Sequence, residues 1–290
     1  MIGCETPARF RLDRRITLYF PDYHIHTTLC KHAVGGMEEY VERAIELGLR
    51  EIGFADHMPV MPEPQFCMDW DDLPVYIDRV HAIQDRYSGR IDIRLGCEMD
   101  IAPGREDEIR SIIERYDFDY VIGSVHYLDG WPFDQEKHKG VFEKGDLGHI
   151  YDLFFETVIR AARTGLYDIA GHIDNIKRMG YVLSGDLTPY YTRTAAVLKE
   201  MNVAFELNTS GYDSAAAEAY PSPAFLRVLC EAGVPVTLGS DSHSPDQVGR
   251  HFSRAFSVLH DAGYDSVTFY KGRGRIMRDI PEKGTDGNTR

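Results

Sequence analysis

Short apolar runs rich in β-branched residues alternate along this chain with amphipathic stretches, and that alternation predicts strands and helices in turn. The run ITLYFPDYHIH reads as a strand ending at His24 and His26. In the next stretch, GMEEYVERAIELGL, Val41, Ala44, Ile45 and Leu47 or Leu49 share one face at helical spacing. EIGFADH ends a second strand at His57, and beyond the proline-rich MPVMPEPQF a helix covers roughly Leu73 to Tyr87. The pattern repeats: IDIRLGCE ends at Glu98, with a helix around Glu106 to Tyr116 after it. FDYVIGSVH ends at His126, and a long polar loop leads to the helix HIYDLFFETVIRAART. YDIAGHID carries His172 and precedes a helix opening near Thr188 and Pro189, a pair that suits an N-cap and first helical position. NVAFELNTSG ends at Asn208 before the helix SPAFLRVLCEAG, and VPVTLGSDSH ends at Asp241 and His243 before a last helix over about Asp246 to Ala262.

These are about seven β–α units with a closing segment, DSVTFYKG, and a polar tail from Glu282 expected to be disordered. No linker-like shift in composition interrupts them, so residues 1–290 read as one domain with residues 1–15 as an N-terminal extension. Sequential β–α alternation requires crossovers and hence a parallel sheet, which places the chain in the α/β class. Closure into a barrel would bring every strand C-terminus to one rim, where such folds keep their chemistry.

Composition narrows the function classes. At 43% hydrophobic and 27% charged the chain is globular, and no apolar run is long enough to cross a bilayer. A net charge of −14 repels a phosphate backbone, so nucleic acid is not an expected partner. A small anion is still acceptable where bound metal ions supply local positive charge. Five widely spaced cysteines without a CxxC read as free thiols in a reducing compartment, and MIGCETPARFRLDRR lacks the apolar core of a signal peptide, so the cytoplasm is expected.

The rim itself is unusual. Seven histidines and two acids end the predicted strands: His24, His26 and His32 in HIHTTLCKH, His57 in FADH, Glu98 in LGCE, His126 in GSVH, His172 in AGH, and Asp241 and His243 in LGSDSH. Any one of them alone is better read as a satisfied core histidine or a salt-bridged acid. Six clusters at successive strand ends instead predict one assembled metal site, since imidazole and carboxylate are the ordinary ligands of zinc, manganese and iron. Side chains alternate along a strand, so the HxH of His24 and His26 can grip one ion, with Asp241 able to join it. Glu98 suits a bridge to a second ion completed by His126 and His172, and His32, His57 and His243 could hold a third. Asp56 points the other way from His57 and suits a supporting role equally well. Cys30 and Cys97 could be thiolate ligands, although buried inert thiols are commoner. His81, His149, His251 and His260 fall on predicted helices and His138 in a polar loop, away from the rim.

In this order, DYHIHT, the later His32, ADH, GCE, GSVH, GHID and GSDSH closely resemble the motifs of the PHP (polymerase and histidinol phosphatase) family. Longer stretches, among them GSVHYLDGWPFD, GHIDNIKRM, ELNTSGYD and YPSPAFLRVLCEAGVPVTLGSDSHSPDQVG, are similar to its histidinol-phosphate phosphatase branch. The resemblance implies a distorted TIM-like (β/α)7 barrel with two or three divalent ions (Zn, Mn or Fe) at the C-terminal ends of its strands. It implies a first ion on His24, His26, Glu98 and Asp241, a second on Glu98, His126 and His172, and a third on His32, His57 and His243. It further implies hydrolysis of the small phosphorylated substrate L-histidinol phosphate by a metal-bound hydroxide, within histidine biosynthesis. Glu98, Asp241, His243 and His57 are then the catalytic candidates, with His243 or His57 protonating the leaving alkoxide. Arg178 is the first candidate for holding the phosphate and Lys177 the second, and an acid such as Glu63, Asp69 or Asp134 would meet the amine and imidazole. Lys31 departs from the small neutral residue expected beside His32 and is positioned to tune the third site. The other readings are a phosphatase for another small phosphomonoester or nucleotide, and a metal-binding scaffold without turnover. The 127–146 loop, with Trp131, Phe133 and Phe142, is a candidate lid or docking edge.

Overall fold

The apolar runs become eleven strands among residues 20–281, the part of the chain that the computed structural model describes. In chain order they are β1 (Asp22–Ile25), β2 (Glu51–Phe54), β3 (Asp92–Asp100), β4 (Tyr120–Ser124), β5 (Tyr127–Leu128), β6 (Trp131–Pro132), β7 (Ile169–Ala170), β8 (Ala204–Asn208), β9 (Val236–Gly239), β10 (Ser266–Lys271) and β11 (Gly274–Asp279). Seven of them, β1-β2-β3-β4-β7-β8-β9, form one sheet with parallel pairing throughout. The sheet curls until its edges meet. Ile25 bridges Ser242, the amide of His26 donates to the Ser242 carbonyl (2.9 Å), and the amide of Ser242 donates to the carbonyl of His24 (3.0 Å). In the same seam the buried Asp22 accepts hydrogen bonds from the amides of Ser240 (2.8 Å) and Gly249 (2.9 Å). The result is the expected distorted (β/α)7 barrel. The N-terminal extension and the polar tail from Glu282 lie outside the described residues.

Helices α1 (Met37–Leu47), α2 (Asp72–Arg86), α3 (Glu106–Arg115), α4 (Gly140–Lys144), α5 (Leu147–Arg163), α6 (Thr188–Glu200), α7 (Pro223–Glu231) and α8 (Phe252–Ala262) carry the crossovers. In α1 the buried Tyr40, Val41, Ala44 and Leu47 face the sheet, as the spacing predicts. Asp146 caps α5 by accepting from Gly148 N (2.9 Å), and Ser222 caps α7 by accepting from Phe225 N. Two helix starts differ from expectation. Thr188 is already the first helical residue of α6, and its amide donates to Asp186 Oδ1 (2.9 Å). The last helix begins at Phe252 rather than Asp246, because Pro245 opens a 3-10 turn and His251 sits at φ 59°, in the left-handed region.

Inside the barrel the packing is aromatic. Tyr23, Tyr120 and Tyr270 form a cluster with Ile122, Ile169, Ala55 and Ala204. Tyr120 donates to the carbonyl of Tyr23 (2.7 Å), and the hydroxyl of Tyr23 accepts from the amide of Tyr270 (2.9 Å) while bonding the carboxylate of Glu51. Tyr270 belongs to the antiparallel β10–β11 hairpin, whose turn is tied to Asp119 and Asp168 just before β4 and β7. The hairpin therefore plugs the end of the barrel opposite the strand C-termini. DSVTFYKG is read as one closing segment, but β11 is a second strand hidden in a largely exposed polar stretch.

Glycine makes room for this plug. A Cβ on Gly96 would lie 2.2 Å from Tyr120 Cζ, and one on Gly53 2.1 Å from the Tyr120 hydroxyl. We expect Gly96→Ala to destabilise the barrel by about 1–3 kcal/mol, because the ring has no free volume to move into. Thermal unfolding would measure this, and an unchanged midpoint would show that Tyr120 can yield.

Candidate metal centre

Each sequence-predicted ligand sits at or just past the C-terminal end of a barrel strand, and the structure brings all nine together. His24 lies in β1 with His26 just beyond; Glu98 lies in β3; His57, His126, His172 and Asp241 follow β2, β4, β7 and β9. His32 and His243 enter from the loops after β1 and β9, their Nε2 atoms 2.9 Å apart.

Glu98 is the hub. Its Oε2 lies 3.1 Å from His24 Nε2, 3.5 Å from His26 Nε2 and 3.0 Å from His57 Nδ1. Its Oε1 faces His172 Nε2 at 3.2 Å and His126 Nε2 at 3.7 Å. Asp241 Oδ1 adds a second anion 3.3 Å from His26 Nε2 and 4.0 Å from His24 Nε2. Asp241 and His172 hold their positions with φ of 53° and 24°, the left-handed backbone that side-chain-bearing residues seldom adopt and that tends to gather at functional sites.

Burial alone would raise the Glu98 carboxyl, but His24, His57 and His172 around it hold it well below the usual range. Burial opposes charge on His24 too, yet Glu206, Glu98 and Asp241 keep its imidazole well above the ordinary value. His57 and His243 behave oppositely. Burial, reinforced by the neighbouring His26, holds His57 well below the imidazole range and pushes His243 down to about 3. Burial thus opposes charge on both rings.

The donor set fits a metal cluster. Six buried atoms in it have no hydrogen-bond partner: His24 Nε2, both ring nitrogens of His26, His57 Nδ1, Glu98 Oε2 and His172 Nδ1. Leaving a buried polar atom unsatisfied costs about 1–3 kcal/mol each, and cations bound by the Nε2 atoms of His24 and His26, His57 Nδ1 and Glu98 Oε2 would remove that cost at those four. Cys30 also comes near, its ligating atom grouped with those of His32 and His243, although its thiol donates to the Thr27 carbonyl (3.1 Å). Cys97 is an inert thiol, buried in the apolar layer and pushed well up by that burial.

A further layer of carboxylates, only partly visible in the sequence, holds the imidazoles. Glu206 Oε1 lies 2.7 Å from His24 Nδ1, Asp100 Oδ1 lies 3.0 Å from His126 Nδ1, and Asp56 Oδ1 lies 3.4 Å from His26 Nδ1. Asp56, in its supporting role, also bonds the amide and hydroxyl of Thr27. Such partners fix ring orientation and tautomer. Gly239 is needed beneath one of them, since a Cβ there would fall 1.9 Å from Glu206 Oε1. Asp100 stands two residues after Glu98, so strand alternation could have signalled it; Glu206 offers only a lone acid inside an apolar strand. Glu206→Gln should lower metal affinity by about 10- to 100-fold. The readout is the chelator concentration that strips half the metal, and an unshifted curve would mean His24 is oriented without Glu206.

Above the cluster lies a cleft of about 410 Å³ whose lining includes Phe66, Tyr127, Asp134, Arg178 and Arg250 as well as the ligand candidates. Arg178 is exposed there, and its guanidinium makes no hydrogen bond or ion pair among the described residues. Lys177 does not reach the cleft. Its buried ammonium is engaged by Asp174 (2.8 Å), Glu218 (2.8 Å) and the Ala219 carbonyl (3.1 Å), which corrects its candidacy for the phosphate. Arg250, unmarked by the sequence, donates to the carbonyls of Ser240 and Asp241 (2.8 Å each) and so braces the Asp241 loop. Lys31 likewise turns away from His32, to the Pro64 carbonyl and Asp69 (2.8 Å each), and pins the 58–70 loop. The aromatic edge of the 127–146 segment packs inward on its own chain: Phe133 against Phe154, and Phe142 against Trp131 and Tyr181.

The PHP domain pattern matches residues 22–210, more than half of the chain, and takes in every ligand candidate up to His172. The chain belongs to the PHP domain family. This PHP domain is 41% identical over 252 residues to a probable histidinol-phosphatase of Deinococcus radiodurans, covering 86% of this chain and 95% of that one. It is 26% identical to a histidinol-phosphatase of Bacillus subtilis, over 79% of this chain and 95% of that one. Its barrel is similar to the crystal structure of histidinol phosphate phosphatase from Lactococcus lactis complexed with zinc, L-histidinol and phosphate. That match has a TM-score of 0.78 at 22% identity, over 89% of this chain and 98% of the other. Among the described residues no helix is long and apolar enough to cross a membrane.

Proposed function

We propose that this PHP domain is a metal-dependent phosphomonoesterase that hydrolyses L-histidinol phosphate to L-histidinol and phosphate. What carries the reaction class is the convergence of five imidazoles on one buried carboxylate, Glu98, with nitrogens of His24, His26 and His57 and Glu98 Oε2 left without a hydrogen-bond partner. The substrate follows from the histidinol-phosphatase relatives, above all the one 41% identical over nearly its whole length. Four described cysteines are unpaired, which suits the reducing cytoplasm, where we place the enzyme.

His24, His26, Glu98 and Asp241 would hold one ion, Glu98, His126 and His172 a second, and His32, His57 and His243 a third. Zinc, manganese and iron all suit this nitrogen-rich set. When bound, divalent ions of this kind lower the pKa of water and neutralise charge on phosphoryl oxygens. The chain does the rest by placement. Glu206, Asp100 and Asp56 stand beside the imidazoles of His24, His126 and His26, and burial opposes protonation of His57 and His243, which favours the ligating form. Arg178 offers its free guanidinium fork to two phosphoryl oxygens from the cleft wall.

Steady-state hydrolysis of a phosphomonoester panel by metal-reconstituted protein tests this reading. L-Histidinol phosphate should exceed phenyl phosphate, glycerol phosphate and nucleoside monophosphates in kcat/KM. Equal values across the panel would remove the substrate assignment and leave a general phosphatase.

A further inference from the structure

The proposed substrate is the phosphate ester of an amino alcohol, and its ammonium sits on the carbon next to the esterified one. A protein group that recognises that ammonium must lie close to the phosphoryl position and must be an anion not already paired. Of the three acids that the sequence offers for this role, Asp134 alone lines the cleft. Glu63 is taken up by the Tyr127 hydroxyl (3.1 Å), the Gln135 amide and Lys137 (3.5 Å), so it clasps the 58–70 loop to the segment after β4. Asp69 is paired with Lys31 and faces solvent rather than the cleft.

Asp134 differs from both. It lines the cleft, is half-buried, and its carboxylate has no hydrogen-bond or ion-pair partner among the described residues. Its position is fixed rather than incidental. The preceding Phe133 is fully buried against Phe154, and its amide donates to the carbonyl of His126 (3.3 Å), a residue beside Glu98. The chain therefore holds one unpaired anion, Asp134, and one unpaired cation, Arg178, in the wall of the same cleft above the metal-ligating side chains.

We propose that Asp134 is the specificity-determining carboxylate that binds the ammonium of the leaving amino alcohol and selects 2-amino-alkyl phosphates over neutral phosphomonoesters. This rests on the phosphatase reading above. A charge-assisted pair in a half-buried cleft, lost to a neutral isostere, corresponds to roughly 10- to 100-fold in kcat/KM.

The test compares L-histidinol phosphate with its des-amino analogue, 3-(imidazol-4-yl)propyl phosphate, as substrates of metal-loaded wild type, Asp134→Asn and Asp69→Asn, with metal content measured on each. Wild type and Asp69→Asn should favour the amine-bearing ester by the same ratio. In Asp134→Asn that ratio should collapse towards one, with competitive inhibition by L-histidinol weakened in parallel. A ratio preserved in Asp134→Asn overturns the assignment while leaving the phosphatase reading intact. Loss of metal together with an equal loss on both esters also overturns it, by placing Asp134 in the metal centre. A wild type that hydrolyses neither ester faster than phenyl phosphate defeats the underlying reading instead.

Discussion

Glu98→Ala should strip the ions and lower kcat/KM by on the order of 10³-fold or more, since metal-derived charge stabilisation of a phosphoryl transition state amounts to several kcal/mol. One carboxylate oxygen faces His24, His26 and His57, and the other faces His126 and His172. Alanine leaves five imidazoles around a cavity with no shared anion, so two of the three proposed ion sites lose a ligand at once. Glu98→Gln keeps the volume and one acceptor oxygen but not the charge, and should fall between alanine and wild type. Elemental analysis beside steady-state rates decides the matter. An alanine variant with full metal content and full rate would mean that the cluster is organised around some other group.

Arg178→Ala should raise KM for L-histidinol phosphate, and Ki for inorganic phosphate, by about 10- to 100-fold with metal content unchanged. The guanidinium stands in the cleft wall with no partner within the protein, so its removal exposes no buried charge and the effect belongs to the ligand. Arg178→Lys should recover only part of the loss, because an ammonium is a point charge that cannot bond two oxygens as a planar fork does. If phosphate inhibits Arg178→Ala as strongly as wild type, the phosphoryl group is held elsewhere in the cleft.

Much of the barrel and the convergence of the nine candidate residues on one rim could be read from the sequence, for a physical reason. Histidine has weak strand propensity and a high cost of idle burial, so its recurrence at successive strand ends has few explanations besides a shared ligand. Other features depend on neighbours from distant strands and leave little local trace. Glu206 becomes meaningful only because Gly239 on the adjacent strand leaves space for its contact with His24. The choice between Lys177 and Arg178 was equally closed to sequence. They are adjacent at the end of a 3-10 turn, where successive side chains diverge by about a third of a turn, so one is buried on Asp174 and Glu218 and the other opens to the cleft. The late start of α8 turns on one left-handed residue, His251, and β11 escapes notice because its side chains are mostly solvated and carry no apolar alternation. The 127–146 segment looks like a polar loop, yet Phe133 packs on Phe154 of α5 and Phe142 on Trp131 and Tyr181, which sets the position of Asp134.

Hydrolysis of L-histidinol phosphate should depend on divalent ions held by this cluster of histidines and acids. Phosphate release from that ester by exhaustively chelated protein, followed during titration with zinc, manganese or ferrous ion, tests it most directly. The chelated protein should be inactive, and activity should rise until it saturates at two or three ions bound per chain. Phosphate release at the full rate before any ion is added would contradict it.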